Sequence, residues 1–245
     1  MSKFPFTIGA VALSLLSPLH AQEWQTGLSQ ARVDASLSFP VGGVIAQILK
    51  KEGDPVHRGD VILELESNME SLEVARQTLA VEAAKKDYDR TKKVLASGGS
   101  ISQEDVDQKE AVWKIAQVEK QQSEEQLRRR QLRAPADGMV DDLFDLERGE
   151  AVAANAPAAR VMDISECRFT AHVKGDAAHG FEQGREVEIA FKTNKEEVTV
   201  TGTVEFVSKG IDAASGLQKV RAVFDNKDGR VPSGLLGKMR LQPAK

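Results

Sequence analysis

Two short stretches of the chain, far apart in sequence, are versions of one another. Phe39-Pro-Val-Gly-Gly-Val-Ile45 resembles Ala134-Pro-Ala-Asp-Gly-Met-Val140, with Pro40 answering Pro135, Gly43 answering Gly138 and Ile45 answering Val140. Each is followed by a second matched element, Glu52-Gly-Asp-Pro-Val56 in one copy and Arg148-Gly-Glu-Ala-Val152 in the other. Because the spacing agrees as well as the letters, two half-domains are implied. Both copies hold short strand-type runs (Val44 to Leu49, Val61 to Leu65, Met139 to Phe144, Arg160 to Ile164) separated by Gly, Pro and Asp, the residues of tight turns. Neither half is long enough to enclose a core alone.

The segment between them is helical in pattern from Asn68 to Gln131, with no proline and with glycine only at Gly98 and Gly99. Those glycines split it into two helices of about 30 residues, each roughly 45 Å long. Ser67 and Asn68 are expected to cap the first helix, and Gly98 to end it in a left-handed conformation. Ser102 with Asp105 approximates a capping box for the second. Val74, Val81, Tyr88 and Leu95 recur at seven-residue intervals, with Ala84 and Thr91 between them, which predicts a coiled-coil seam. Val106, Trp113 and Leu127 keep the same interval on the second helix, interrupted by Lys120. Trp113 is the expected anchor of the pair. Acid-to-base pairs four residues apart (Glu82/Lys86, Asp89/Lys93, Asp105/Lys109, Glu110/Lys114, Glu124/Arg128, Glu125/Arg129) cover the other faces and predict a hairpin projecting into water.

From Arg168 onward the pattern changes to period two. Val187, Ile189 and Phe191 alternate with polar neighbours, as do Val198, Val200, Val204 and Phe206, and then Val220, Ala222 and Phe224. Half-buried strands of a β-barrel are expected. A short helix is expected over Asp176 to Glu182, a turn at Asn226-Lys-Asp-Gly229, and a last strand near Lys238 to Leu241.

The N-terminus reads as an export signal: Lys3, an apolar run from Phe4 to Leu16, then Pro18 and Ala21. The run is too short to span a bilayer. Cleavage after Ala21 leaves a chain beginning at Gln22, in the bacterial periplasm; retention as an uncleaved anchor is the alternative.

Several kinds of chemistry lack the residues they need. Hydrophobic residues at 41% and charged residues at 29% describe a folded soluble chain. Its net charge of −4, with no basic block, gives nucleic acid no row of cations to bind. The single cysteine, Cys167, makes no internal disulfide, and the four histidines (His20, His57, His172, His179) include no pair at a metal-binding interval. Met69, Met139, Met162 and Met239 are too scattered for a soft-metal site. No Ser/His/Asp order, phosphate loop or HExxH pattern is present, and Asp137, Asp141 and Asp142 read as turn and strand-edge residues. No catalytic, cofactor or metal site is expected. A biotin or lipoyl carrier, the alternative of another class, needs a lysine in a tight turn between the halves; Glu66-Ser67-Asn68 and Leu132-Arg133 flank the helices there instead.

The order of these parts carries a family resemblance. Pro-x-x-Gly-x-Ile at 40 to 45, Glu-Gly-Asp-x-Val-x-x-Gly-Asp at 52 to 60, and Arg-Ala-Pro-x-Asp-Gly-x-Val at 133 to 140 resemble a periplasmic adaptor, or membrane fusion protein, of the HlyD/AcrA kind. The likeness continues through Gly184-Arg-Glu-Val, Val204 to Asp212, Val220 to Asn226 and Val231-Pro-Ser-Gly-Leu-Leu-Gly. The implied fold is mainly β: a split biotinyl/lipoyl-like domain (22–67 and 132–166) opened by an antiparallel helical hairpin (68–131), then a β-barrel domain (167–245), with a signal peptide at 1–21. The resemblance implies a non-enzymatic adaptor joining an inner-membrane transporter, of the resistance-nodulation-division (RND) or alternatively the ABC type, to a TolC-like outer-membrane channel. It also implies assembly as a ring, expected as a hexamer. In that family an Arg, a Leu and a Ser around the hairpin tip are associated with docking to the channel. Arg90, Val94 or Leu95, and Ser102 occupy comparable places around the Gly98-Gly99 turn, with Val where Leu is usual and a tip one residue longer. The chain ends at Lys245, where many such adaptors continue into a membrane-proximal domain, which leaves the transporter-docking surface open.

Overall fold

The computed structural model describes residues 23–193 and 197–242. The expected export signal, Lys3 to Ala21, lies outside the described residues. In chain order the elements are β1 (Gln25–Ser38), β2 (Gly43–Ile48), β3 (Pro55–Val56), β4 (Val61–Leu65), α1 (Asn68–Ala96), α2 (Gln103–Arg128), β5 (Gln131–Arg133), β6 (Gly138–Asp142), β7 (Ala151–Val152), β8 (Pro157–Lys174), α3 (Gly175–Ala178), β9 (Glu186–Lys192), β10 (Glu197–Val207), β11 (Leu217–Asp225) and β12 (Leu236–Leu241). One sheet has the order β1-β12-β9-β10-β11-β8-β6-β3, with β1 also pairing with β8; a second has the order β5-β4-β2-β7. The fold is mainly β with an inserted helical hairpin, as the sequence pattern requires. Compactness divides the chain into two units, one built from 29–169 with 223–235, the other from the remaining described residues.

In the first unit, the two half-domains complete one another. Ile45 accepts from Gly149 N and donates to Glu150 O, both at 2.8 Å; Val140 accepts from Gly53 N at 2.8 Å and donates to Asp54 O at 3.0 Å. Gly53 and Gly149 both take positive φ, 86° and 90°, which lets each turn its chain into the other half's strand. Around these bonds Phe39, Ile45, Val56, Ile62, Leu63, Leu65, Leu132, Val140 and Val161 form one buried core. Glu52 reaches across to accept from Leu143 N at 3.0 Å, and Asp137 accepts from Arg58 N at 2.8 Å. Asp141 stands 3.7 Å from Arg160, and Asp142 accepts from Phe144 N. The three aspartates thus hold turns and strand edges.

The turn residue Asn226 is more than a turn residue. It is buried, and its amide donates to Ile164 O and Val231 O, both at 2.9 Å, while its carbonyl accepts from Val231 N at 3.0 Å. Cys167 lies beside it, buried, its thiol pKa pushed up by burial against a smaller opposing contribution from the Asn226 amide.

In the second unit, β12 pairs with β9 and β9 with β10, and Val187, Ile189, Phe191, Val198, Val204, Met239 and Leu241 point inward. Gly237 lies against the Phe191 ring, where a Cβ would come within 2.6 Å. Phe206 departs from the expected alternation: it is 43% exposed at the end of its strand, with the Arg221 guanidinium 5.4 Å from the ring centroid. Trp24 is covered in the same way by Arg240, at 4.4 Å, which also pairs with Glu188 at 2.6 Å. The helix expected at 176 to 182 is shorter, one turn at Gly175–Ala178.

Candidate functional site at the hairpin tip

The hairpin packs α1 against α2 along a seam that follows the seven-residue intervals. Val74, Val81, Tyr88 and Leu95 are half-buried against α2, with Gln77 buried among them. Val106, Ala116 and Ser123 are buried on α2, and Trp113 stacks on Tyr88 with centroids 5.5 Å apart and planes 16° from parallel. Ion pairs line the remaining faces. Of the pairs expected at four-residue spacing, Glu110/Lys114 closes at 2.7 Å and Glu125/Arg129 at 3.7 Å. Asp105 does not turn to Lys109, because its carboxylate is used in the helix cap.

The tip is built from two helix ends back to back. α1 ends in a double turn: Gly98 N donates to Leu95 O at 3.1 Å and Gly99 N to Val94 O at 3.0 Å, with Gly98 at φ 78°. This is a Schellman end, and its usual apolar contact is the Val94 side chain lying over Gly99. A Cβ at Gly99 would come within 2.5 Å of Val94 Cγ1. α2 then starts on a reciprocal capping box: Asp105 N donates to Ser102 Oγ at 3.1 Å, and Ser102 N donates to Asp105 Oδ2 at 3.0 Å. The Ser102 hydroxyl also donates to that carboxylate at 2.7 Å, and these bonds hold the Asp105 carboxyl below its usual range. At the start of α1, Ser67 does not cap as expected; its hydroxyl turns to Glu64 at 3.4 Å.

The expected docking residues therefore fall into two groups. Arg90 reaches into solvent, its side chain 77% exposed and at the limit of an ion pair with Asp87 at 4.0 Å, and Gly98, Gly99 and Ser102 are exposed around the turn. Leu95 is not a water-facing helix-end residue: it is half-buried at the last seam position, and Val94 is half-buried over Gly99. The surface left for a partner is a guanidinium, a turn of backbone and serine hydroxyls. Among the described residues no group of three or more His, Cys, Asp or Glu is gathered to hold a metal.

A second arrangement, at the other end of the hairpin, was not legible in the sequence. Arg130, just past α2, pairs with Glu70 of α1 at 2.6 Å and donates to the carbonyl of Gly42 at 3.1 Å. One guanidinium thereby ties both helices to the sandwich at their point of entry. The only hint in the sequence is Glu70 itself, an acid at a seam position four residues before Val74.

A split sandwich opened by a long helical hairpin, in a chain that also builds a β-barrel, defines a barrel-sandwich hybrid fold. The chain belongs to the CzcB-like, barrel-sandwich hybrid domain family, which matches residues 34–163. An uncharacterized protein of Haemophilus influenzae is 25% identical over 219 residues, 88% of this chain and 56% of that protein. The chain thus spans a little over half the length of that curated relative. The fold is shared with a MacA-MexA chimera containing the Pseudomonas aeruginosa MexA α-hairpin domain (TM-score 0.75, 16% identity, 91% of this chain and 79% of that one). It is shared also with the membrane fusion protein Spr0693 of Streptococcus pneumoniae R6 (TM-score 0.67, 14% identity, 91% and 100%). Among the described residues no helix is long and apolar enough to cross a membrane.

Proposed function

We propose that the chain is a non-enzymatic periplasmic adaptor of a tripartite efflux system. In this reading it links an inner-membrane transporter of the RND type to a TolC-like outer-membrane channel and works as a ring, expected as a hexamer. The observation that carries the reading is the replacement of the carrier turn between β4 and β5 by helices of 29 and 26 residues. A carrier domain holds its modifiable lysine in that turn. The hairpin puts recognition groups a long way from the sandwich instead, as a bridge between two membranes needs. The tip residues Arg90, Gly98, Gly99 and Ser102, with Val94 and Leu95 shaping the turn beneath them, are assigned to channel docking.

The test is export by a deletion strain complemented with Arg90→Asp, together with crosslinking from the tip to the channel and affinity purification of the transporter. Loss of export and of the tip crosslink, with the chain still folded, is the expected outcome. Normal export by the charge-reversed tip overturns the docking assignment. Recovery of an ABC ATPase in place of an RND transporter moves the protein to the alternative exporter class. A mass shift on a lysine of the mature chain returns it to the carriers.

A further inference from the structure

Met139 and Met162, which look scattered along the sequence, are direct partners in the folded sheet. β6 pairs with β8 so that Met139 lies opposite Met162, and β3 pairs with β6 on its other side so that Pro55 lies opposite Met139. Residues directly opposite one another in an antiparallel sheet point to the same face, with Cβ atoms about 4.5–5.5 Å apart. Burial identifies the face. Val56, Val140 and Val161, the next residues along the three strands, all lie in the sandwich core, so Pro55, Met139 and Met162 point away from it. Met139 is 38% exposed and Met162 half-buried. Strand surfaces are more often filled by β-branched or aromatic side chains, and along the chain Met139 is flanked on this face by the carboxylates of Asp137 and Asp141.

His57 belongs to the same face. It follows buried Val56 and is exposed, one diagonal step across the sheet from Met139. The Arg58 N–H donates to Asp137 Oδ1 at 2.8 Å, which keeps this part of the chain against the start of β6. Diagonal neighbours have Cα atoms about 7–8 Å apart, within reach of long side chains. The imidazole is also oriented. Its Nδ1 faces Asp60 Oδ2 at 4.0 Å, and that oxygen accepts from the His57 N–H at 3.2 Å. Asp60 is itself paired with the Lys50 ammonium at 3.3 Å.

We propose that Met139, Met162 and His57 form a binding site for a soft monovalent cation, Cu(I) or Ag(I). Thioethers are soft, uncharged donors that select such ions, and a neutral imidazole suits them as a further ligand. Asp60 beside Nδ1 leaves Nε2 for the metal, the role a carboxylate plays behind many metal-binding histidines. Zinc draws instead on thiolates, imidazoles and carboxylates, so a set of two thioethers and one imidazole discriminates against it. The site uses one face of the sandwich and nothing at the hairpin tip. It therefore stands or falls independently of the channel-docking assignment and of the transporter class.

The probe is Ag(I), which has the same donor preference and no redox chemistry to complicate the titration. Silver nitrate is titrated calorimetrically into the mature chain in chloride-free buffer, with Zn(II) as the comparison. A Cys167→Ala background is used so that the thiol takes no part. The expected result is one Ag(I) per chain and no Zn(II) at that site. Met139→Leu and Met162→Leu should each weaken Ag(I) binding by roughly 10- to 100-fold while melting as the parent does, and Met69→Leu should leave it unchanged. A second readout is independent of affinity. Bound Ag(I) should protect Met139 and Met162 from peroxide, read by mass spectrometry, while Met69, 75% exposed on α1, oxidises as before. Undiminished Ag(I) binding by the Met139→Leu, Met162→Leu double variant overturns the inference, as does equal protection of all three methionines. Binding lost in His57→Gln and kept in both methionine variants also overturns it, since a surface histidine alone would then be the ligand. Binding lost in both methionine variants and kept in His57→Gln supports the thioether pair and overturns the place given to the imidazole.

Discussion

Ile45 and Val140 hold equivalent places in the two halves of the sandwich, and each is bonded to the turn that belongs to the other's half. Ile45 O accepts from Gly149 and Val140 O accepts from Gly53, both at 2.8 Å. Both glycines are at positive φ with nothing within 4 Å of a built Cβ. Alanine at either therefore meets backbone strain and no clash. Gly53→Ala and Gly149→Ala should each cost about 1–2 kcal/mol, and by similar amounts, in chemical denaturation. Very unequal costs would show that the two turns are not mechanically equivalent.

Asn155 extends the same comparison. Its N–H donates to Phe39 O at 2.8 Å, as that of Gly59 does to Ala134 O, and both residues are left-handed, at φ 62° and 96°. Asn155→Gly should change stability by no more than about 0.5 kcal/mol, whereas Asn155→Val should cost about 1–2 kcal/mol. Thermal melts of the two variants check this.

Arg130→Ala should loosen the hairpin at its base. It leaves the mostly buried Glu70 carboxylate and the Gly42 carbonyl without their shared donor, at a cost of about 1–3 kcal/mol. Faster amide exchange in the first turns of α1, with the tip unchanged, is the expected signature. Because the two side chains share one interaction, Arg130→Ala with Glu70→Ala should cost less than the two single changes together.

Ser102→Ala removes the cap of α2 and should cost about 1 kcal/mol. Asp105 adds a pH dependence. Its carboxyl is held below 3.8 by the Ser102 hydroxyl and N–H, so its contribution is fully present above that value and is lost as the pH falls through the lowered folded-state value. Acid titration of the parent and of Ser102→Ala, followed by chemical denaturation, should show the parent's advantage present above about pH 4 and shrinking below it.

Leu95→Asp and Arg90→Asp should separate at the tip. Leu95 lies in the seam, so its replacement should lower the melting temperature; Arg90 lies in solvent, so its replacement should leave melting unchanged. A thiol reagent gives an independent measure of folding in both, since buried Cys167, with its pKa raised, should be labelled only as the chain unfolds.

What could be read from the sequence was what neighbours in sequence decide. The duplicated turns, the seven-residue seam and the Ser102 cap each draw on residues close together along the chain, and each was legible. The Arg130–Glu70–Gly42 tie draws on three separated segments, and no local pattern points to it. Asn226 read as a turn residue because its turn chemistry is local, while its burial beside Ile164 and Val231 is set by packing. Leu95 is legible in the same way as the seam: it stands at the helix end, and the seven-residue interval that begins at Val74 places it in the seam, where it is half-buried.

The reciprocal bonding of the two halves also sets an order of events for a chain made from its N-terminus. Residues 39–65 cannot close their core until Val140 and Gly149 have been synthesised, and the whole hairpin is made in between. Left unfolded, that insertion would be a long loop to close. Zipped from the tip, where Gly98 and Ser102 set the reversal, it folds through local contacts and brings Glu64 and Gln131 side by side. The element that reaches outward in the finished molecule thus doubles as the device that lets its base assemble, and slow zipping should appear as slow formation of the sandwich.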